Sequence, residues 1–429
     1  MKKIYLGMSA DILHPGHINI LKKASELGSV TVGLLTDSAI STYKRIPFMS
    51  YDQRKEVLLG LKYVDYIVEQ NKLDYTDNIL KLKPDVVVHG DDWKSGIQEP
   101  IRKKVIEALS VYGGELIEYP YTEGVSSTEF KEKIDENITT DQRKALLRRM
   151  LDSKSTLRFL DINNALSAKV IQDTKIEVES KLLEFDGMWG SSLTDATSKG
   201  KPDIEAVDTT SRLLTLNEIL EVTSKPIIYD GDTGGKPEHL VYTVKNLERI
   251  GVSAIVIEDK KGLKKNSLFG NTVFQEQENV DIFAEKITIA KEVKKSDNFL
   301  IFARIESLIL EKGMDDALLR AKKYLLAGAD GILIHSKSDE PDEIFEFVTK
   351  FRSFSEATLV VVPTTFNQVK FSEFEKIGVN IVIYANHLLR SSYPAMVTTA
   401  KSILKNGRSK EIEPNLMSVK DIINFVINW

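Results

Sequence analysis

Pro226-Ile227-Ile228-Tyr229-Asp230-Gly231-Asp232 is an apolar run that ends on two acids spaced two residues apart. It has the length and the flanking signals of a buried strand. In a strand, residues i and i+2 share a face, so Asp230 and Asp232 are predicted to aim at one centre. The same grammar recurs after about Met150. Leu157–Ile162, Phe185–Trp189, Ala254–Glu258, Phe299–Arg304, Gly331–His335, Leu359–Pro363 and Asn380–Ala385 are further strand candidates, with helix-patterned segments between them. Eight βα units before Trp429 match the arithmetic of a (β/α)8 TIM-type barrel, typically ~250 residues. The strand count weighs against an open doubly wound sheet.

Several of these strands finish on polar residues: Asp230 and Asp232, Glu258 and Asp259, Arg304 and Glu306, and His335. Three carboxylates (Asp230, Asp232, Glu258) suit a hard cation, and magnesium needs only a few of them plus a substrate phosphate. A single strand-end acid is ordinarily solvated or caps the next helix. Three beside an arginine and a histidine, at the end of a barrel where active sites lie, favour a site.

The segment ahead of the barrel alternates strands and helices of another kind. Lys3–Gly7, Val30–Thr36, Tyr66–Val68, Val86–His89 and Glu115–Tyr119 are strand candidates, and Ile18–Leu27, Tyr51–Leu61 and Ile101–Val111 are helices. This order predicts a parallel α/β sheet of Rossmann type, with ligands beyond the carboxyl ends of the strands. His14-Pro15-Gly16-His17 stands between the first strand and its helix, where two imidazoles and a helix N-terminus would meet a nucleotide phosphate. Taken alone, the motif also reads as a turn with surface histidines. Ser127 to Arg149 is charged and helical, a last helix and connector.

Composition narrows the function classes. The 429 residues are 42% apolar and 28% charged, enough to build packed cores. The net charge is −5, so no basic nucleic-acid footprint is expected. There is no cysteine, which excludes disulfides, thiolate metal sites and every cysteine nucleophile, and suits a cytoplasmic address. The first apolar run ends at Asp11, too early for a signal peptide, and no run reaches the ~18–20 residues of a membrane helix.

Longer motifs carry a resemblance. Met188-Trp189-Gly190-Ser191-Ser192-Leu193, Asp230 to Gly235, and Glu258 to Ser267 resemble the phosphoenolpyruvate mutase family of the isocitrate lyase superfamily. The likeness runs from about Thr139 to Trp429, through Ala303-Arg304-Ile305-Glu306, Ile334-His335-Ser336-Lys337 and Tyr384-Ala385-Asn386-His387. It implies interconversion of phosphoenolpyruvate and phosphonopyruvate. By resemblance, Asp230, Asp232 and Glu258 hold Mg2+. Ser191, Ser192 and Leu193 bind the substrate carboxylate under a covering Trp189. Arg304 and His335 hold phosphoryl and carboxylate oxygens, Asp203 stands near the reacting phosphorus, and Lys264, Asn266 and Ser267 belong to a gating loop. Lyases of the superfamily use a loop cysteine that this chain lacks. Phosphonopyruvate hydrolase is the alternative, and Asn266 tilts the reading toward mutase.

The first 133 residues resemble the glycerol-3-phosphate type of cytidylyltransferase, through His14-Pro15-Gly16-His17, Lys44, Ser50 to Lys55, Gly90-Asp91-Asp92-Trp93 and Thr122 to Thr128. The resemblance implies CTP binding by His14, His17, Lys44, Ser126, Ser127 and Thr128. Two positions depart from the pattern: Met8 stands where a glycine is usual, and Tyr121 where an arginine is. The expected division is a cytidylyltransferase-like domain over 1–137 and a mutase barrel over 138–429. The N-terminal domain could turn over a phosphonate with CTP, bind nucleotide without catalysis, or be structural. Expected partners are small molecules, with no nucleic acid and no membrane, in a homodimer or homotetramer.

Overall fold

The computed structural model describes the whole chain except residues 44, 95–97, 121–138, 179–180, 263, 268–272 and 428–429. Lys44, Tyr121, Ser126, Ser127 and Thr128 therefore lie outside the described residues.

The N-terminal strands β1 (Lys2–Met8), β2 (Gly28–Leu35), β3 (Tyr66–Gln70), β4 (Val86–Gly90) and β5 (Glu115–Tyr119) form a parallel sheet in the order β3-β2-β1-β4-β5. The chain reverses its direction of winding between β1 and β4, which opens a crevice beyond the carboxyl ends of those two strands. Helix Pro15–Leu27 follows β1 directly, with His14 as its N-cap. Two short helices, Asp37–Ser41 and Thr76–Leu82, escaped the sequence reading. Each is under two turns, too short for a periodic pattern to register.

The second sheet closes on itself. Its strands are β6 (Leu157–Ile162), β9 (Gly187–Gly190), β10 (Ile227–Asp230), β11 (Ala254–Glu258), β12 (Leu300–Ile305), β13 (Gly331–Ile334), β14 (Thr358–Val361) and β15 (Ile381–Tyr384). All eight run parallel, and β15 pairs with β6 at Ile381–Leu157 to seal the barrel. A small antiparallel hairpin, β7 (Lys175–Val178) with β8 (Lys181–Glu184), projects between the first two barrel strands. All eight predicted barrel strands are present, within a residue or two at the ends.

Strand parity explains both core and site. In β11, Ile255 and Ile257 pack outward against the helices, while Ala254 and Val256 fill the barrel interior. The interior line continues to Glu258. It runs likewise through Ile228 to Asp230, Leu300 and Phe302 to Arg304, Leu333 to His335, and Phe159 to Asp161. Apolar layers below and charged residues at the carboxyl end are thus one alternation read along each strand.

Helix Thr140–Ser153 seats Leu147 and Met150 among the interior residues of the barrel. It starts at Thr139 because Thr139 and Gln142 form a reciprocal capping box.

Candidate active site

The carboxyl ends of the barrel strands carry two linked charge clusters. At the first, the Lys264 ammonium lies 2.8 Å from Asp232 Oδ1, 3.2 Å from Asp230 Oδ2 and 3.7 Å from Asp203 Oδ1, and donates to Ser192 Oγ. Ser192 Oγ also bonds to Asp203 Oδ1 (3.1 Å) and Asp230 Oδ2 (2.9 Å). The Asn266 carboxamide donates to Asp203 Oδ2 at 2.7 Å. At the second cluster, Ser267 Oγ receives Lys260 Nζ and Arg304 Nη2, each at 2.7 Å, and donates to Glu306 Oε2 at 2.7 Å. Arg304 Nη2 also reaches His335 Nδ1 at 3.1 Å.

The electrostatics follow from burial opposed by pairing. Burial alone would raise the Asp230 carboxyl, but Lys264, Arg304 and Arg212 hold it below the ordinary carboxylate range. Burial would likewise depress Lys264, yet Asp230, Asp232, Glu258 and Asp203 together hold it well above the usual lysine value. Glu258 is raised, because burial outweighs Lys260 and Arg304. His335 falls to about 3, through burial and then the adjacent Arg304 cation. It is therefore a neutral imidazole whose Nδ1 accepts from Arg304 and whose Nε2 carries the proton.

Asp230 and Asp232 stand around the Lys264 ammonium, while Glu258 faces Lys260 and Arg304. Among the described residues, no three acidic or histidine side chains converge closely enough to hold a metal ion as they stand. The donor chemistry nevertheless fits a hard divalent cation. Among the described residues no hydrogen bond satisfies the buried Glu258 Oε1 and Oε2, and the buried Asp232 Oδ1 faces the Lys264 ammonium beside a further carboxylate. Asp232 itself adopts a left-handed backbone, φ 53°.

Trp189 ends the interior line of its strand. It is buried in the apolar cluster that fills the barrel interior, level with Ile228 on one neighbouring strand and with Asp161 on the other. Ser191 and Ser192 are buried at the start of helix Ser192–Ser198, whose first turn includes Leu193. The Ser192 amide points to Asp230 Oδ2 at 3.3 Å.

Two residues escaped the sequence reading. Arg212, from helix Thr209–Glu221, binds Asp232 Oδ2 at 3.0 Å and the Asp230 carbonyl at 2.7 Å, and so orients the acid pair from behind. Asp161 accepts from Thr194 Oγ1 (2.9 Å) and the Asn386 amide (2.5 Å), and burial raises its carboxyl to about 8. Its parity with Phe159 was a usable signal; a helix arginine 18 residues from its partner leaves none.

The N-terminal crevice holds a cavity of about 330 Å3, whose walls include Met8, His14, His17, Lys23, Tyr43 and His89. His14 Nδ1 accepts from the Gly16 amide (3.2 Å), and His17 Nδ1 accepts from the His14 amide (3.3 Å). Both rings are thereby held as Nε2–H tautomers, and burial lowers the His14 pKa. His89 stacks on Trp93, with ring centroids 3.8 Å apart. Among the described residues, no side chain lining the cavity is acidic, which suits an anion.

Residues 147–404 match the family profile described as phosphoenolpyruvate phosphomutase, and residues 5–133 match one described as cytidylyltransferase-like. A phosphoenolpyruvate phosphomutase of Tetrahymena pyriformis is 33% identical over 286 residues, covering 66% of this chain and 91% of the relative. A phosphonopyruvate hydrolase of Variovorax sp. is 34% identical over 279 residues, covering 65% and 92%. A solved phosphonopyruvate hydrolase in complex with oxalate and Mg2+ superposes with a TM-score of 0.60 at 32% identity, covering 68% of this chain and 96% of that one. No described helix is long and apolar enough to cross a membrane. The chain therefore belongs to the phosphoenolpyruvate phosphomutase family, enzymes of the mutase and isocitrate lyase superfamily, and carries a cytidylyltransferase-like domain ahead of the barrel.

Proposed function

We propose that the barrel interconverts phosphoenolpyruvate and 3-phosphonopyruvate, the step that makes the carbon–phosphorus bond of phosphonates. The P–O bond to the enol oxygen breaks, leaving a pyruvate enolate, and C3 of that enolate then takes the phosphoryl group. No atom is gained or lost. Such transfer passes through a loose, metaphosphate-like state, so catalysis is positioning and charge stabilisation.

Asp230, Asp232 and Glu258 would hold Mg2+, which neutralises substrate oxygens when bound. Arg304, whose planar fork pairs with carboxylate or phosphate, and the neutral Nε2–H of His335 would hold substrate oxygens. Ser191, Ser192 and Leu193 would anchor the carboxylate above Trp189. Lys264, Asn266 and Ser267 would keep water away from the transferring group, with Asp203 beside it.

The observation that supports the mutase reading is the 2.7 Å hydrogen bond from the Asn266 carboxamide to Asp203 Oδ2, which ties this loop residue to the acid cluster. Phosphorus NMR of the purified protein with phosphonopyruvate and magnesium tests it. Phosphoenolpyruvate is the expected product; inorganic phosphate would establish the hydrolase reading instead.

For the N-terminal domain, taken as residues 1–137 ahead of a barrel over 138–429, we propose CTP binding at His14 and His17, with Lys44, Ser126, Ser127 and Thr128 completing the phosphate site. Cytidylyl transfer to a phosphonate would follow. Two Nε2–H donors at a helix N-terminus support this reading. The test is pyrophosphate release from CTP across a panel of phosphonates. We further propose a cytoplasmic homodimer or homotetramer.

A further inference from the structure

Tyr43, which follows helix Asp37–Ser41, stands on one wall of the N-terminal cavity. Tyr43 and Ser9 line the cavity. A few residues on, the backbone of Pro47, Phe48 and Met49 is held from two sides. The Phe48 and Met49 amides donate to Asp11 Oδ1 at 2.7 and 3.3 Å. Arg54 Nε binds the Met49 carbonyl at 3.2 Å, and its Nη1 binds the Ser9 carbonyl at 2.5 Å. These partners belong to the N-terminal sheet unit.

The remaining partners come from the barrel's plug helix, Thr140–Ser153. Arg149 Nη1 binds the Phe48 carbonyl at 2.8 Å, and Nη2 binds the Pro47 carbonyl at 2.7 Å. Asp37 takes Arg54 on Oδ1 at 2.5 Å and faces Arg149 with Oδ2 at 3.5 Å, so one carboxylate receives a guanidinium from each side. Ser41 Oγ donates to the Ser153 carbonyl at 2.9 Å. Ile46 is buried against Leu147 and Met150, and shares the cluster that fills the barrel. The five polar backbone groups of 47–49 are thus divided between the two domains, since Pro47 has no N–H to place.

We propose that Arg149 is a positioning residue for the N-terminal site: the barrel's plug helix fixes the segment that runs on from Tyr43 and that Arg54 ties to Ser9, so nucleotide binding depends on a residue of the other domain. The inference rests on the reading that this cavity binds CTP. A planar fork spanning two successive carbonyls fixes the segment's orientation as a single point charge cannot.

The test compares the full-length chain with Arg149→Ala, Arg149→Lys and Ile46→Ala. CTP affinity is read by calorimetry, barrel turnover on phosphonopyruvate by phosphorus NMR, and exchange of the Phe48 and Met49 amides by mass spectrometry. Arg149→Ala is expected to weaken CTP binding about tenfold, in line with other remote positioning losses. Barrel turnover should hold while the two amides exchange faster, and Arg149→Lys should restore part of the affinity. If Arg149→Ala does not fold, Ile46→Ala carries the same expectation. CTP affinity unchanged in folded variants overturns the proposal, as does a loss of affinity matched by an equal loss of barrel turnover. A wild-type chain that binds no CTP overturns the nucleotide reading itself, and this inference falls with it.

Discussion

The Lys264 ammonium is buried 2.8 Å from Asp232 Oδ1, at the centre of the acids that terminate the barrel strands. Those acids can share a low-dielectric site only because a cation stands among them. Replacing Lys264 by Met leaves buried carboxylates without their counter-charge. A loss of about 3–5 kcal/mol is expected, the usual cost of stranding one partner of a buried pair. Added magnesium should recover more stability in Lys264→Met than in the wild type, measured by denaturant unfolding with and without the ion. Equal magnesium effects in the two proteins would speak against a shared cation position.

On the proposed mutase reading, Asn266 and Asp203 would govern where the phosphoryl group goes. Asn266→Ala removes the 2.7 Å donor to Asp203 and would leave room for water beside it. Mutase rate is expected to fall by roughly 10–100-fold, the range for a lost positioning contact, with a rise in the phosphate share of product. Phosphorus NMR on one sample reads both quantities. An unchanged product ratio would remove Asn266 from the water-excluding role.

His335 stays neutral across the working range. Its folded pKa, about 3, lies below the unfolded value, so between about pH 6.5 and 3 the unfolded chain binds a proton that the native barrel does not. The stability this group contributes is full above the unfolded value and is lost as pH falls through that window. His335→Gln should flatten that part of the stability–pH profile, followed by urea unfolding at a series of pH values. In the wild type, the His335 ring nitrogens should show no titration near pH 6.5.

His14 and His17 present Nε2–H donors that do not depend on protonation. CTP affinity should therefore stay nearly level between pH 7.5 and 9, while His17→Ala lowers it by about tenfold, as expected for a removed phosphate donor. Calorimetry over that interval checks both. A steep fall in wild-type affinity with rising pH would mean that imidazolium, not imidazole, binds the nucleotide.

The barrel and most of its site were legible in the linear chain. Strand period two is a local property, so Ile228 to Asp230 and Val256 to Glu258 announce which residues face inward before any fold is known. His14-Pro15-Gly16-His17 is likewise local: its backbone and side chains hydrogen-bond to one another. The Asp37–Ser41 and Thr76–Leu82 helices were not legible, because fewer than three turns give no period to detect.

Other features have no local cause. Lys264 reaches Asp232 across a loop, Arg212 supports the acid pair from a helix, and strand register sets Trp189 level with Ile228 and Asp161. Arg149 meets Pro47 and Phe48 only because the two sheets pack through one helix. Residue type and spacing say what a side chain can do; long-range closure of the barrel and docking of the plug helix choose its partner. That choice rests on burial and hydrogen-bond satisfaction summed over distant segments, which no window of sequence contains.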